Sequence, residues 1–167
     1  MYEKRILFMR LLVISDTHGR AALIDRVLRR EKEAKEIFFL GDVVRDIEEV
    51  LPEYRDRNFH IVRGNCDYFC SYPSFDIKEY KNEGVSVYFA HGHNHSVKSG
   101  TDGILEAAKN VGANIALYGH THIANIEYRD GVYIINSGSL ALPRNGAASY
   151  AVIDITKAGI LPAIKNV

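Results

Sequence analysis

The fold is decided by the segment RLLVISDTHG, which occupies residues 10–19. Residues 10–15 form an apolar run, which is typical of a strand buried on both faces. The polar residues that follow place Asp16 and His18 on the loop after this strand. Residues 23–28 then carry apolar side chains at helical spacing among charged ones. We therefore expect a strand, a polar loop and a crossover helix in this order.

The same succession returns twice further along the chain. Residues 36–40 predict a second strand that closes in Gly41-Asp42, and residues 58–62 predict a third that closes in Gly64-Asn65-Cys66-Asp67. Alternating strands and helices indicate parallel pairing with right-handed crossovers. Open sheets of this kind bind ligands at the carboxyl ends of their strands, so we expect the functional residues at that edge.

The second half of the chain is richer in strands. One helix is expected at residues 101–111, and turn residues near Asp130-Gly131 and Lys157-Ala158-Gly159 predict two antiparallel hairpins. Together the two halves predict an α/β fold with two packed sheets flanked by helices. The predicted strands of this half comprise residues 76–80, 85–90, 114–118, 123–128, 132–136, 150–155 and 160–165.

Length and charge restrict the classes of function. We expect one domain over residues 1–167, with residues 1–8 as a candidate N-terminal extension. Lys plus Arg and Asp plus Glu total 21 each, so no overall field favours long nucleic acids or an anionic membrane. The chain shows neither an apolar run of ~18 residues nor a secretory signal. Cys66 and Cys70 are expected to be reduced thiols of a cytoplasmic protein.

The histidines fall mostly where strands end. Six of the seven lie in or beside glycine-flanked loops after apolar runs, and only His60 lies inside a predicted strand. Imidazoles and carboxylates that follow successive strands can converge in space, and such mixed donors suit Mn, Fe, Zn or Ni better than calcium. The sequence therefore predicts a metal site. The six loop histidines are His18, His91, His93, His95, His120 and His122.

These motifs, taken in order, resemble the calcineurin-like metallophosphoesterases. The family pattern runs D-x-H, G-D, G-N-[H/C]-[D/E], H and G-H-x-H, and residues 136–139 resemble a further family loop. A cysteine after Gly-Asn in so short a chain is similar to the small prokaryotic phosphodiesterase branch. The resemblance implies a four-layer α/β/β/α sandwich with two facing mixed β-sheets flanked by helices. The matching blocks are Asp16-Thr17-His18, Gly41-Asp42, Gly64-Asn65-Cys66-Asp67, His91-Gly92-His93 and Gly119-His120-Thr121-His122.

The resemblance also implies two divalent metal ions, with manganese expected first and nickel, iron, zinc or cobalt as alternatives. Asp42 would bridge the ions, which two-metal hydrolysis holds ~3.5–4 Å apart, and a bridging hydroxide would attack the ester in line. The expected catalytic residues are Asp42, Asn65, Cys66 and Asp67. One ion would be held by Asp16, His18, Asp42 and His122, and the other by Asp42, Asn65, His91 and His120.

Position 66 departs from the commoner family pattern. Many members have a histidine there, which suits protonation of a leaving alkoxide, whereas a thiol is a poorer donor and has no positive charge. Cys66 is therefore either a participant in catalysis or a small packing residue, and both interpretations stay open. Asp67 is expected to orient His18 or another ligand by accepting a hydrogen bond.

Four further residues receive no catalytic role. His93 and His95 are either solvated loop residues or substrate contacts, and the sequence does not decide between them. His60 alternates with apolar neighbours and is expected to be structural. Arg144 is a candidate contact for a substrate phosphate, although a surface arginine is the default interpretation.

Three functions compete. The first is hydrolysis of a small phosphate ester. The second is a non-catalytic interaction module, because a retromer subunit resembles this fold yet has lost much of the histidine set that this chain retains. The third, a nuclease on long DNA, is disfavoured by charge neutrality and the lack of a capping domain. Ten Tyr and seven Phe could serve a homo-oligomer interface, and the sequence leaves substrate and oligomeric state open.

Overall fold

The computed structural model describes residues 8–167, so the predicted extension lies outside the described residues except for Phe8. Within this range the chain forms ten strands and three α-helices. Their bounds are β1 Met9–Ile14, α1 Ala21–Arg30, β2 Glu36–Phe39, α2 Val44–Val50, β3 Asn58–Ile61, β4 Phe75–Tyr80, β5 Val85–Ala90, α3 Asp102–Asn110, β6 Ile115–Tyr118, β7 Asn125–Arg129, β8 Val132–Asn136, β9 Ser149–Thr156 and β10 Gly159–Asn166.

The strands form two mixed sheets of five strands each among the described residues. The first has the order β10-β9-β1-β2-β3, and the second has the order β4-β5-β6-β8-β7. Strands β1, β2 and β3 of the first sheet are parallel to one another, as are β5, β6 and β8 of the second. Antiparallel hairpins add the outer strands β10, β4 and β7. The parallel strands therefore direct their carboxyl ends, and the loops that follow them, to one edge of each sheet.

Alternation along the strands sorts the apolar side chains into three layers. In β1, Leu11 and Val13 pack between the sheets with residues of both, whereas Leu12 and Ile14 pack against α1 and α2. A third cluster joins the outer face of the second sheet to α3. Because helices cover both outer faces, the predicted four-layer α/β/β/α sandwich is confirmed.

Most predicted elements occur with bounds shifted by one or two residues. The predicted helix at 101–111 is α3, and both predicted hairpins form, with Asp130 and Gly131 at φ of 53° and 82° in the β7–β8 turn. The sequence analysis did not identify α2. No helix within residues 8–167 is long and apolar enough to cross a membrane.

Candidate metal centre

Four loops bring six of the seven candidate ligands to one edge of the two facing sheets, and Asn65 follows β3 in a fifth loop. The loops after β1 and β2 carry Asp16, His18 and Asp42 from the first sheet, and those after β5 and β6 carry His91, His120 and His122 from the second. Asp16 and His91 are fully buried, and Asp42 is 3% exposed. The site therefore lies where the two sheets meet, with ligands from both.

The first group of donors has four members. His18 Nε2 lies 3.3 Å from His122 Nε2, and His122 Nε2 lies 3.2 Å from Asp16 Oδ1. Asp42 Oδ2 lies 3.9 Å from His18 Nε2. One donor atom from each residue lies within 4.8 Å of the others, so the structure brings together the whole set predicted for the first ion.

A second group surrounds the other oxygen of Asp42. Its Oδ1 lies 3.4 Å from His91 Nε2, which in turn lies 3.2 Å from His120 Nδ1. Asn65, predicted for the same ion, is exposed, and its Nδ2 lies 3.5 Å from Cys66 Sγ. The two oxygens of Asp42 therefore face two different histidines, His18 and His91, each of which lies close to a second histidine.

The donor set fits divalent cations. Nδ1 of His91 lies 2.8 Å from the Leu40 carbonyl and Nδ1 of His122 lies 2.7 Å from the Leu142 carbonyl, so each Nδ1 donates a hydrogen bond and leaves Nε2 for an ion. Asp16 Oδ1 is buried without a hydrogen bond in the described part of the chain. Two ligands at about 2.1 Å from one ion lie about 3.0–3.4 Å apart, which matches both close nitrogen pairs.

Asp16 is held by its neighbours from three directions. Its Oδ2 accepts hydrogen bonds from Ser15 Oγ at 2.5 Å and from the His120 amide at 3.1 Å. Ser139 Oγ, in the family-like loop at 136–139, donates to the Asp16 carbonyl at 2.7 Å. One carboxylate oxygen is thus fixed by the protein, which leaves the other directed at the histidines.

Two further carboxylates hold the ligand loops. Asp67 accepts hydrogen bonds from the amides of Gly64, Asp42, Val43 and Val44 at 2.7–2.9 Å. These contacts orient Asp42 through its backbone, so the ligand that Asp67 holds is Asp42, where the sequence had left His18 or another ligand open. Asp46 in α2 does the same for the loop after β1, since its Oδ2 accepts from the Thr17 hydroxyl at 2.6 Å and the Gly19 amide at 2.8 Å.

The ligand loops hold an unusual backbone conformation. Nine non-glycine residues in the described range have positive φ, and five of these are candidate ligands. Side chains other than glycine pay about 1–2 kcal/mol for this conformation, and such strain clusters at functional sites. The five ligands and their φ values are Asp16 56°, His18 44°, Asp42 60°, His120 66° and His122 59°.

Burial and neighbouring charges shift the pKa values of the candidate ligands in different directions. Burial alone would raise the pKa of Asp42, but His91 and the Cys66 amide outweigh burial and hold that pKa well below its usual range. The Asp16 carboxylate, 3.2 Å away, raises the pKa of His122, whereas burial, with nearby His91, lowers the pKa of His120 to about 4. An ion that binds His122 must displace its proton, so metal affinity should fall as pH falls.

Cys66 lies beside the bridging position. Its amide donates to Asp42 Oδ1 at 3.0 Å, so the backbone at position 66 helps to fix that carboxylate. Partial desolvation beside Asp42, and then the charge of that carboxylate, raise the pKa of the Cys66 thiol to about 11, so the thiol stays neutral at pH 7. The side chain is exposed, which argues against a purely buried packing role.

The remaining histidines differ in their distance from the centre. His60 pairs with Glu36 at 2.7 Å, and His95 Nε2 lies 2.8 Å from the Tyr88 hydroxyl, so both have structural partners. The His93 ring lies 5.4 Å from the His91 ring, centroid to centroid. His93 therefore borders the site without belonging to either close group of donors.

Sequence reasoning missed three residues that position the ligands: Ser15, Asp46 and Ser139. Ser15 directly precedes Asp16, and Ser139 belongs to the segment at 136–139, so local sequence carried a signal for these two. Asp46 carried none, because its partners lie 26 to 29 residues away along the chain.

Comparisons with known proteins found a family model and relatives that match most of the chain. The family model for the calcineurin-like phosphoesterase superfamily domain matches residues 9–158. A probable metallophosphoesterase, YsnB of Bacillus subtilis, is 30% identical over 149 residues, covering 88% of this chain and 85% of its own length. The phosphodiesterase YfcE of Escherichia coli K12 is 28% identical over 168 residues, covering 87% of this chain and 88% of its own.

A solved structure supports the fold independently. The crystal structure of a conserved uncharacterized protein from Streptococcus pneumoniae, described as a predicted phosphoesterase, superposes with a TM-score of 0.75 at 21% identity. The superposition covers 95% of this chain and 99% of that one. At this identity the likeness shows the shared fold.

Proposed function

The chain belongs to the calcineurin-like phosphoesterase superfamily, and we propose from this premise that it is a dinuclear metal-dependent phosphodiesterase acting on a small phosphate ester. The observation that supports this most is the position of Asp42. Its Oδ2 faces His18 at 3.9 Å, while its Oδ1 faces His91 at 3.4 Å. A carboxylate placed in this way suits a ligand shared by two ions.

In this proposal each ion has its own histidine pair. Asp16, His18 and His122 would hold one ion and His91, His120 and Asn65 the other, with Asp42 shared. Divalent ions bound there would lower the pKa of a water molecule and stabilise negative charge on the phosphoryl oxygens. The family resemblance favours manganese as the resident metal, and the mixed nitrogen and oxygen donors also suit nickel, iron, zinc or cobalt.

The protein's own contribution is to fix the ligands before the substrate arrives. Ser15 and the His120 amide fix Asp16, and the amides that bind Asp67 fix the loop of Asp42. Preorganised groups of this kind need no rearrangement as charge develops on the phosphate. Cys66, neutral and exposed beside Asp42, would border the leaving group without protonating it efficiently.

Turnover of chromogenic esters tests the proposal. Purified protein would be loaded with Mn, Ni, Fe, Zn or Co and assayed on bis(p-nitrophenyl) phosphate and p-nitrophenyl phosphate, with elemental analysis of each sample. We expect metal-dependent hydrolysis that favours the diester and is lost in Asp42→Asn, whereas exposed Asp76→Asn serves as the matched control. Protein that contains two metals and hydrolyses neither ester would refute the proposal.

The alternative function is a non-catalytic interaction module of the same fold. Retention of every predicted histidine ligand argues against it, and chelation offers a further test. An enzyme with this centre should melt at lower temperature after metal removal, because ligands that bind only the folded state stabilise it. An unchanged melting curve, with metal removal confirmed by elemental analysis, would favour the interaction module.

Three finer points complete the proposal. We place the activity in a single domain of residues 1–167 and the protein in the cytoplasm, where Cys66 and Cys70 would remain reduced. The proposed partners are small phosphate esters. Membranes and long nucleic acids are not proposed, because the basic and acidic residues balance at 21 each. Sedimentation equilibrium would determine whether the chain forms a homo-oligomer.

A further inference from the structure

A cleft of about 410 Å³ borders the candidate metal centre. Its floor includes Thr121, which lies between the candidate ligands His120 and His122 in the loop after β6. Its other walls come from the segment after β5, the start of β7 and the segment around position 144. The lining residues are Val97, Lys98, Tyr118, Thr121, Ile123, Asn125 and Arg144.

Both charged residues of the cleft are cations. Lys98 and Arg144 are exposed, and no carboxylate within residues 8–167 forms an ion pair with either. Glu127, two residues after Asn125 on β7, is already paired with Arg129 at 3.1 Å. The lining itself contains no acidic side chain. The cleft therefore carries a local positive charge although the chain as a whole is neutral.

These two cations also lie close to the metal ligands. The Arg144 amide donates to the His122 carbonyl at 3.0 Å, which ties this segment to the loop after β6. Lys98 lines the same cleft as Thr121, which lies between the candidate ligands His120 and His122. An anion bound in the cleft would thus lie next to a phosphate held at the centre.

We propose that this cleft binds a second anionic group, a carboxylate or phosphate, on one of the alcohols of the substrate ester. The proposal rests on the proposed phosphodiesterase centre and deepens it, because it defines the substrate as an ester with two anionic points. Lys98 and Arg144 would bind the second anion, and the Asn125 amide adds a hydrogen-bond donor. Val97 and Ile123 offer apolar contact to the connecting carbons.

Inhibition by paired phosphonates tests this assignment on the metal-loaded protein. Each ω-carboxyalkylphosphonate with one to four methylene groups would be compared with the alkylphosphonate of equal length as an inhibitor of bis(p-nitrophenyl) phosphate hydrolysis. The proteins are wild type, Lys98→Gln, Arg144→Gln, the double variant and the remote exposed control Lys32→Gln. The shift in melting temperature that each phosphonate causes gives a second readout, independent of turnover.

We expect one chain length to bind the wild type and Lys32→Gln at least about ten-fold more tightly with the carboxylate than without it. The preference should fall in each single variant and vanish in the double variant. Because it is a ratio within one protein, a general loss of activity cancels. Equal inhibition by both members of every pair in an active wild type, or a preference that survives in the double variant, would overturn the cleft assignment. A metal-loaded wild type that hydrolyses no ester would instead be a failure of the proposed function.

Discussion

Replacing Gly64 with alanine should disable the centre without removing a single ligand. Gly64 precedes Asn65, and its φ lies outside the left-handed region, so an alanine backbone fits there. A Cβ at this position would lie 2.1 Å from Asp42 Oδ1 and 2.6 Å from the Asp42 amide nitrogen. Ordinary contact requires about 3.4 Å or more, so the carboxylate must move by about 1 Å.

That displacement is large on the scale of metal coordination. Ligand distances are held within about ±0.2 Å in a competent site, and a 1 Å misplacement of reacting groups can cost about 10²-fold in rate. The Asp42 oxygen that moves is also the one that accepts the Cys66 amide at 3.0 Å and faces His91 at 3.4 Å. We therefore expect kcat/KM for Gly64→Ala to fall at least about 100-fold, with reduced metal content.

The matched control is Gly103→Ala in α3. It also has an ordinary φ, and its added Cβ would meet a backbone atom, the His95 carbonyl oxygen, at 2.6 Å. Both variants should lose some thermal stability, but only Gly64→Ala should lose metal and activity. Melting curves, elemental analysis and hydrolysis of bis(p-nitrophenyl) phosphate measure the three quantities. Wild-type turnover and two metals in Gly64→Ala would refute the bridging geometry assigned to Asp42.

Three other substitutions probe the centre and the packing behind it. Asp42→Asn should abolish activity and weaken both metal sites, as elemental analysis would show, and two tightly held metals in an active variant would reject the shared ligand. Cys66→His should reduce the slope of log(kcat/KM) plotted against leaving-group pKa, because a well-placed general acid speeds departure of the leaving group by about 10²–10⁴-fold. Parallel lines for wild type and Cys66→His would mean that position 66 does not assist the leaving group and would assign Cys66 to packing. Burial alone would raise the pKa of the buried Glu36 carboxyl, but hydrogen bonds from Asn58, His60 and Tyr80 outweigh burial and hold this pKa below its usual value. The stability that the ionised carboxylate gives to the fold is therefore present above about pH 4.3 and is lost as the pH falls through the lower folded pKa. Glu36→Gln should therefore be less stable than wild type by about 1–3 kcal/mol at pH 7, and by a smaller amount below pH 4. Thermal melts would measure the difference, with exposed Glu79→Gln as the control. A stability difference that does not change with pH would reject this prediction.

The fold followed from the sequence where the signal was local. The apolar run at residues 10–15 and the turn at Asp130-Gly131 each contain their own evidence, and β1 and the β7–β8 hairpin appear as expected. Helix α2 was missed because its start has no capping side chain of its own, and Val43 before it has a φ of 76°. The carboxylate of Asp67 accepts from the Val43 and Val44 amides instead, from 23 to 24 residues further along the chain. A cap supplied from that distance leaves no local pattern.

The candidate site, like the fold, was predictable from the sequence only where the signal was local. The ligand types were readable because each one follows an apolar strand in a short motif, and His18, Asp42 and His122 do meet as expected. The division of the histidines into two pairs around Asp42 came from the family resemblance alone, because it depends on how the two sheets face each other and residue spacing does not carry that information. The cleft of Lys98 and Arg144 depends on the same packing, and the two residues lie 46 positions apart in sequence without any shared motif.

The backbone of the centre explains why its chemistry and its stability should be linked. Five candidate ligands hold φ values between 44° and 66°, and Asp16 presents a buried oxygen that lacks a hydrogen bond within residues 8–167. Strain of about 1–2 kcal/mol per residue, together with two buried carboxylates in one site, is unfavourable unless something offsets it. Hydrogen bonds from Ser15 and the His120 amide to Asp16, and from the Cys66 amide to Asp42, offset part of this cost. Cations would offset it directly by neutralising the carboxylates and binding the histidines of both sheets, so the ions proposed for hydrolysis would also fasten the two sheets together at this edge.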